Sequence, residues 1–237
     1  MRRTPVPGST EHGAARRVGD PPGDTGRRAS AYLRIKEAIL AGALRPLERI
    51  TEGDVASRLG LSRTPVREAF GLLAAEGLID VIPQRGSFVS QLRIDDILEI
   101  YQIRTPLECM AARVAAEIID DAALEVLDRM VEVEAKGQGT RSTKDSLDAN
   151  AEFHRLIIAC VRNRRLQALV GQLQGQVHRA RLLWPSTRTR LDETWKEHAE
   201  LVAALRARDP DQAEQAMRMH LEKARASTLD RMLPVTR

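Results

Sequence analysis

The sequence predicts a mainly α-helical protein of two packed units, the first with a small β-hairpin and the second an antiparallel helical bundle. At 237 residues the chain is long enough for two units, and a hydrophobic content of 43% can fill both cores. Aromatic residues make up only 3%, whereas Ala, Leu, Arg and Glu abound, which favours helices packed through aliphatic side chains. β-branched residues on both sides of a Gly turn near residue 86 favour two short strands there.

The first 29 residues differ in composition from the rest of the chain. They contain four Pro and five Gly with few large apolar side chains, so they cannot bury enough surface to offset the entropy of ordering. Residues 1–30 hold six Arg against three acidic residues, whereas residues 93–237 hold 23 basic and 23 acidic ones. We therefore expect a disordered basic arm over residues 1–29, and the N-terminal excess of positive charge favours contact with nucleic acid.

Two helices are predicted after the arm. Apolar residues at helical spacing begin at Ala31 and stop before Gly42, which indicates a first helix of about ten residues. A second helix covers residues 52–59, because the hydroxyl of Thr51 can cap its start and Gly60 can end it.

A third helix is expected directly after the short connection that follows Gly60. Thr64 is placed to cap it, and Pro65 fits the first helical position, where its missing N–H costs nothing. Four apolar residues form its predicted inner face: Val66, Phe70, Leu72 and Leu73. A helix, a tight Gly turn and a second helix together indicate a helix-turn-helix.

A β-hairpin is predicted next. Residues 78–82 and 87–90 favour strands, and the segment Pro83-Gln84-Arg85-Gly86 between them favours a turn. Such a hairpin forms a wing beside the helix-turn-helix. Residues 30–92 are thus expected to be a winged helix-turn-helix unit.

Residues 93–237 are predicted to form an all-helical bundle. The expected helices cover residues 95–118, 121–136, 144–161, 165–182, 188–208 and 211–231. Residues 137–142 and 185–187 are predicted loops. Pro106 interrupts the first of these helices, which we expect to kink or restart near Thr105.

The N-terminal pattern resembles one known family. A helix, a capped helix, SRTPVREAF, LxxxGLI, a strand and QRGSFV follow one another as in the N-terminal domain of the GntR family of bacterial regulators, over about 60 residues. The resemblance implies a homodimeric transcription regulator, and a repressor in our interpretation, that binds palindromic operator sites on double-stranded DNA.

The same resemblance implies which residues contact DNA. In the family, the helix that opens with Ser-Arg-Thr enters the major groove, and the matching residues are Ser62, Arg63, Thr64 and Arg67. The wing turn would place Arg85 and Gly86 at the neighbouring minor groove or backbone. Gly53 stands where the family often has a further basic DNA-contacting residue, so operator preference is expected to differ.

Three histidines and an asparagine in the C-terminal unit are candidate metal ligands. His198 and His220 lie at equal distances from the breaker at residues 208–211, so an antiparallel helix hairpin folded there places them at the same height. Asn150 and His154 are an i, i+4 pair on one face of an earlier helix. Three unrelated hydrogen-bonded histidines are the alternative. His178, among Arg residues, is expected at the surface.

The segments NAEFH, EHxxLxxAL and DPDQAxxAMxxH resemble the FCD ligand-binding domain of the FadR-type branch of GntR regulators. That resemblance implies a divalent metal at Asn150, His154, His198 and His220, with zinc or nickel suited to the imidazoles and open positions left for a ligand. It also implies that Arg104 clamps a small carboxylate effector, the alternative being a helix pair between Arg104 and Glu108.

Other functional classes are less consistent with these features. No apolar run approaches the roughly 18 residues of a membrane span and no secretory signal is evident, so the protein is expected in the cytoplasm. Cys109 and Cys160 are expected to be free thiols without function. A metallohydrolase would use a similar histidine site, but no general base is placed by motif and the N-terminal unit would be superfluous, so no enzyme is expected. A DNA-binding architectural protein remains an alternative.

Overall fold

The computed structural model describes residues 24–137 and 142–233, and in these ranges it contains nine α-helices and three short β-strands. The first unit is formed by α1 Asp24–Leu40, β1 Arg49–Ile50, α2 Glu52–Leu59, α3 Arg63–Ala75, β2 Ile79–Ile82 and β3 Gly86–Val89. The second is formed by α4 Ile94–Ile118, α5 Asp121–Lys136, α6 Thr143–Cys160, α7 Arg164–Leu183, α8 Arg188–Arg206 and α9 Pro210–Met232. One cluster of buried apolar residues lies within residues 31–89, and a second, larger one begins at Leu92.

Helix α1 begins seven residues before the predicted start at Ala31. Residues 24–29, which we expected in the disordered arm, are therefore helical, whereas residues 1–23 lie outside the described residues. Residues 26–30 are exposed, so the hydrophobic pattern could not reveal this first turn. Arg28 lies 3.7 Å from Glu68 of α3, a contact between helices that sequence periodicity does not show.

The helix-turn-helix is formed by α2 and α3. As predicted, the hydroxyl of Thr51 accepts a hydrogen bond from the Asp54 N–H, and Gly60 ends α2 with a left-handed backbone, φ 61°. The prediction for α3 was wrong at its start, because Ser62 and not Thr64 occupies the N-cap position. Pro65 consequently lies in the first turn, where a missing N–H is still tolerated.

The inner face of α3 also differs from the prediction at one position. Leu72 is 37% exposed, and its predicted place in the core is taken by Ala69. Val66, Phe70 and Leu73 are buried as predicted. This face packs α3 against α1, which leaves the opposite face of α3 open to solvent.

The wing is a three-stranded antiparallel sheet in the order β1-β3-β2. The predicted hairpin pairs Ile79 with Val89 and Ile82 with Gly86. The additional strand β1 pairs Arg49 with Phe88, and its two residues are too few to give an alternating pattern in the sequence.

The second unit contains the six predicted helices, with ends within two residues of those expected. The predicted restart near Thr105 is wrong, because α4 is assigned as one helix from Ile94 to Ile118. Pro106 lies on an exposed face, where water can bond the carbonyl that its missing N–H leaves free. Helix α4 packs against α6, α7, α8 and α9 and thus lies at the centre of the bundle. In the part of the chain described, no helix is both long and apolar enough for a membrane crossing.

Candidate DNA interface and histidine centre

The start of α3 presents an exposed polar surface. Ser62, Arg63, Thr64 and Arg67 are all exposed, as expected for residues that contact DNA. The first turn of a helix also directs unpaired N–H groups outward, which suits phosphate oxygens. This surface can therefore combine Arg side chains for base edges with N–H and hydroxyl groups for the backbone.

Gly53 lies beside this surface. A Cβ atom at Gly53 would be 3.8 Å from the Arg63 guanidinium, so the side chain of Arg63 extends past the residue that departs from the family pattern. The structure thus places the base-reading candidate of α3 next to the position where a basic residue is missing on α2.

Two basic residues of the wing lie at or beside its turn. Arg85 is exposed in the turn, and Gly86 adopts φ 103°, a conformation that favours glycine. A Cβ atom at Gly86 would be 3.3 Å from Arg49 Nε, which places the exposed Arg49 of β1 beside the wing turn. Sequence analysis missed Arg49 because β1 was not predicted.

Helix α7 links the two units through hydrogen bonds to backbone carbonyls. Gln172 Nε2 donates to Ala75 O at 2.8 Å, and Gln176 Nε2 donates to Glu76 O at 3.1 Å. Both carbonyls lie at the C-terminus of α3, where helical carbonyls lack partners within the helix. The buried Arg179 donates to Ser90 O in the junction between wing and bundle.

The three predicted histidines meet in the core of the bundle. His154 of α6, His198 of α8 and His220 of α9 are fully buried, and each offers a ring nitrogen within 4.8 Å of those of the other two. The predicted hairpin geometry holds, since the rings of His198 and His220 have centroids 4.7 Å apart. His178 does not belong to this cluster. It is partly buried and lies 3.6 Å from Asp148.

Two carboxylates orient two of these rings. His154 Nδ1 lies 2.6 Å from Glu108 Oε2, and Glu108 is in turn paired with Arg104. His220 Nδ1 lies 2.9 Å from Glu197 Oε2, and Glu197 accepts two hydrogen bonds of 3.0 Å from Arg190. The alternative of a helix pair between Arg104 and Glu108 is thus present, and that pair also orients His154.

The electrostatics of the centre keep the carboxylates charged and the imidazoles neutral. Burial opposes ionisation of Glu108, but Arg104 and His154 outweigh it and lower its pKa to about 2. Burial likewise raises the pKa of Glu197, whereas hydrogen bonds from His220 and Arg190 lower it to about 2. Burial lowers the pKa of His220 to about 3, although Glu197 opposes this shift.

The same cause acts on the other two imidazoles. Burial lowers the pKa of His154, with Glu108 opposing, and burial together with neighbouring His220 and His154 lowers the pKa of His198 well below its usual value. All three rings are therefore in the neutral form that binds metal ions.

The ring tautomers follow from this charge distribution. A neutral imidazole has one N–H and one lone pair, and an ionised carboxylate can only accept. The Nδ1 atoms of His154 and His220 therefore donate to Glu108 and Glu197, and both Nε2 atoms carry lone pairs. These two Nε2 atoms lie 3.1 Å apart. Two facing lone pairs at this distance repel, unless a cation lies between them.

The ring nitrogens of His198 and the amide oxygen of Asn150 also favour a bound cation. Neither ring nitrogen of the buried His198 has a hydrogen-bond partner among the described residues, and the ring stacks on Phe153 with centroids 3.9 Å apart. The buried Asn150 Oδ1 also lacks a partner there. Nitrogen ligands about 2.0–2.1 Å from a tetrahedral zinc ion are roughly 3.3 Å from one another, close to the observed separation of the two Nε2 atoms. The residues present thus fit a divalent metal.

Two small cavities lie beside the centre and share three lining residues, Leu147, Asn150 and Arg181. Each has room for about one water molecule. Arg104 lines the second cavity, as a contact with a ligand would require. Sequence analysis missed Arg181, which resembles a solvated helix residue in the segment HRARLL and is nevertheless buried. It also missed Glu197, although Glu197 directly precedes a predicted ligand.

Known protein families and structures match both units. A model of "Bacterial regulatory proteins, gntR family" matches residues 27–89, and a model of the FCD domain matches residues 99–223. The HTH-type transcriptional regulator YdhC of Bacillus subtilis (strain 168) is 30% identical over 191 residues, 80% of this chain and 85% of that protein. The HTH-type transcriptional repressor RspR of Escherichia coli (strain K12) is 28% identical over 192 residues, 81% and 84% of the two chains. The structure of E. coli McbR/YncC has the same fold, with a TM-score of 0.75, 24% identity and coverage of 87% of this chain and 99% of that one.

Proposed function

The chain belongs to the GntR family of bacterial regulatory proteins and carries an FCD domain, and from this premise we propose that it is a transcription repressor released from DNA by a small organic acid. Residues 30–92 bind an operator, and residues 93–237 sense the effector and hold two copies together. The observation that carries the proposal is the pairing of an exposed, basic start of α3 with a buried histidine centre in the same chain.

The operator is proposed to be a short inverted repeat. A helix-turn-helix homodimer reads two half-sites related by its own two-fold axis, about one helical turn of DNA apart. Arg63 and Arg67 read base edges in the major groove, Ser62 and Thr64 bind phosphates, and the wing follows the adjacent groove through Arg85 and Gly86. The six Arg residues among residues 1–29 give the DNA-binding end of the chain an excess of positive charge.

The sensing site is proposed to contain a divalent metal, zinc or nickel. His154, His198 and His220 hold it through ring nitrogens, and Asn150 completes the set with its amide oxygen. Asn is a weaker ligand than Asp because it is neutral, so metal affinity is modest. A neutral ligand also leaves the charge of the metal ion uncompensated, which favours an acidic effector. When bound, the metal supplies positive charge and open coordination positions. The Glu108 and Glu197 carboxylates fix the rings of His154 and His220.

The chain is not an enzyme, since its family and relatives are transcription regulators. The site chemistry agrees with this assignment. The carboxylates nearest the histidines, Glu108 and Glu197, each bond an imidazole and an Arg side chain, and their pKa values are near 2. Such groups are too weakly basic to activate water at neutral pH.

Effector binding is proposed to reach DNA through α7. This helix lines the cavities with Arg181 and bonds the end of α3 with Gln172 and Gln176. The cavities hold about one water molecule each, so a larger ligand must move the helices that surround them. A shift of α7 would change the position of α3 and with it the spacing of two recognition helices in a dimer.

The test is operator binding by the full chain. A gel-shift assay with the promoter region of its own gene, followed by footprinting, should show one protected inverted repeat occupied by a dimer. Protection of a single half-site by a monomer would contradict the dimer. Absence of any sequence preference over random DNA of equal length would contradict the regulator itself.

A further inference from the structure

Gly53, the second residue of α2, is not explained by the backbone of this helix. Its φ is not positive, since the glycines with positive φ in the described chain are Gly42, Gly60, Gly77 and Gly86. A helical backbone at this position suits residues with side chains, and glycine stabilises a helix less than alanine does. The reason for a glycine at residue 53 therefore lies outside the backbone of α2.

The space beside Gly53 accepts a Cβ atom but little more. Such an atom would lie 3.8 Å from both Arg63 Nη2 and Thr51 Oγ1, which is ordinary van der Waals contact. Side chains on a helix lean toward its N-terminus, which is the side where the N-cap residue Thr51 lies. A side chain longer than that of alanine would therefore need space that Thr51 and the Arg63 guanidinium occupy.

The Arg63 side chain reaches this space from the neighbouring helix. Arg63 is the first residue of α3, and its guanidinium carbon would be 3.9 Å from a Cβ atom at Gly53. Because Arg63 is exposed, its side chain can change rotamer readily, and a bulky neighbour can displace it. The length of the side chain at residue 53 therefore controls where the guanidinium of Arg63 can lie.

The position of this guanidinium matters for base recognition. An Arg fork discriminates a guanine through two hydrogen bonds of fixed geometry, so a displaced guanidinium loses the bidentate contact. Gly53 has no side chain that could read a base itself. Residue 53 can therefore affect base preference only through neighbours such as Arg63.

We propose that Gly53 is a positioning residue that determines operator specificity. Because it lacks a side chain, the Arg63 guanidinium can lie across the start of α2, and this position selects the base pair that Arg63 reads. The inference rests on the proposed function in that α3 is taken to enter the major groove. It adds residue 53 to the positions that determine the operator sequence, although residue 53 makes no base contact of its own.

The test compares variants of the full chain on the operator, on operators with single base-pair substitutions and on random DNA of equal length. Arg63→Ala first identifies the base pair that Arg63 reads. Gly53→Leu should lose discrimination at this same base pair, by about 5- to 150-fold for a lost bidentate contact. Gly53→Arg should do the same, because a second guanidinium beside Arg63 adds like-charge repulsion to its bulk.

Gly53→Ala is the matched control, since the space beside residue 53 accepts its Cβ atom. This variant should keep the wild-type base preference and melt at the wild-type temperature or above, because alanine stabilises a helix more than glycine does. A second control combines Gly53→Leu with Arg63→Ala. The double variant should have the base preference of Arg63→Ala alone, since residue 53 acts only through Arg63.

Wild-type base preference in both Gly53→Leu and Gly53→Arg would overturn the proposal, as would an unchanged preference in Arg63→Ala. A further loss of discrimination in the double variant would also overturn it, because residue 53 would then act independently of Arg63. Melting temperatures are measured on the same samples, so that loss of the fold is not mistaken for loss of base preference. A wild type that prefers no operator over random DNA overturns the proposed function, whereas the other contrary results, obtained with a wild type that binds its operator, overturn the role of Gly53 alone.

Discussion

The Nε2 atoms of His154 and His220 lie 3.1 Å apart, and the opposite nitrogen of each ring faces an ionised carboxylate. This arrangement joins four helices, because Glu108 is on α4, His154 on α6, Glu197 on α8 and His220 on α9. A cation between the rings would remove the repulsion of their lone pairs. It would therefore stabilise the packing of all four helices at once.

Metal binding is expected to depend on each histidine of the centre. His198→Ala and His220→Ala should each release the ion and lower the melting temperature of metal-loaded protein, since one of the few strong ligands is lost. His178→Ala is the control, because His178 lies outside the cluster and should leave metal content unchanged. Elemental analysis of purified variants gives the measurement. Full metal content in both the His198 and His220 variants would exclude this site.

Arg104→Ala separates two roles for Arg104. If Arg104 supports Glu108, the variant leaves the buried Glu108 carboxylate without its counter-charge, and breaking such a buried ion pair typically costs about 3–5 kcal/mol of unfolding free energy. His154 then loses its orientation and metal content falls. If Arg104 instead clamps the effector, metal content stays normal and only the response to effector is lost. Chemical denaturation combined with metal analysis distinguishes these outcomes, and we expect the first.

The sequence predicted the parts of the fold that depend on local signals. Helix bounds followed from apolar spacing and caps, as at Thr51 and Gly60, and equal distances from one breaker placed His198 beside His220. Prediction from the sequence failed where contacts between segments distant in the chain determine the local structure. Two-residue β1 forms only because β3 lies beside it, and the exposed first turn of α1 has no apolar pattern.

The supporting residues of the site were harder to predict than its ligands. Glu197 and Arg181 carry charges, and charged residues on a helix are usually solvated. Their burial results from the packing of α7 and α8 around the histidines, which no spacing rule describes. A buried charge is recognised only when its surroundings are known, so the burial of Glu197 and Arg181 emerged from the structure alone.

DNA recognition is expected to depend on Arg63 in a sequence-specific way. Arg63→Ala should cost about 1–3 kcal/mol of binding free energy at the operator and relax the preference for one base pair. The loss on random DNA should be smaller, because a base-reading side chain contributes little there. Arg129→Ala, at an exposed position of α5 in the bundle, should bind both DNAs like the wild type. Equal losses of binding free energy on operator and random DNA would show that Arg63 contacts phosphate and does not read a base.

Protein stripped of metal with EDTA should lose stability as the pH falls below about 6.5, the usual pKa of histidine in an unfolded chain. The folded pKa of His220 is about 3 and that of His198 is well below its usual value, so between these limits the unfolded chain binds more protons. Stability therefore rises with pH in this window and falls with acid. Urea unfolding at about pH 7 and pH 5 measures the difference, since Glu108 and Glu197, with folded pKa values of about 2 and unfolded values of about 4.3, are largely ionised in both states at these pH values.

His220→Gln is the comparison for the pH experiment, because it removes one titrating ring while keeping a polar side chain. Its stability should change less between the two pH values than that of the wild type. An unchanged pH dependence would show that His220 does not contribute to the acid sensitivity. A wild type equally stable at both values would contradict the neutral, buried state of the whole cluster.

Communication between the two units is expected to depend on Gln172 and Gln176. These side chains bond Ala75 O and Glu76 O at the end of α3, so they connect α3 to the helix that carries Arg181. The double variant Gln172→Ala, Gln176→Ala should keep its affinity for operator alone and for effector alone. Effector should, however, lower the operator affinity of the variant by a smaller factor than in the wild type. That factor is reciprocal and typically about 5 to 150-fold. Gln167→Ala, an exposed change on the same helix, is the control. Operator titrations with and without effector measure the coupling, and an undiminished factor in the double variant would mean that α7 does not transmit the signal.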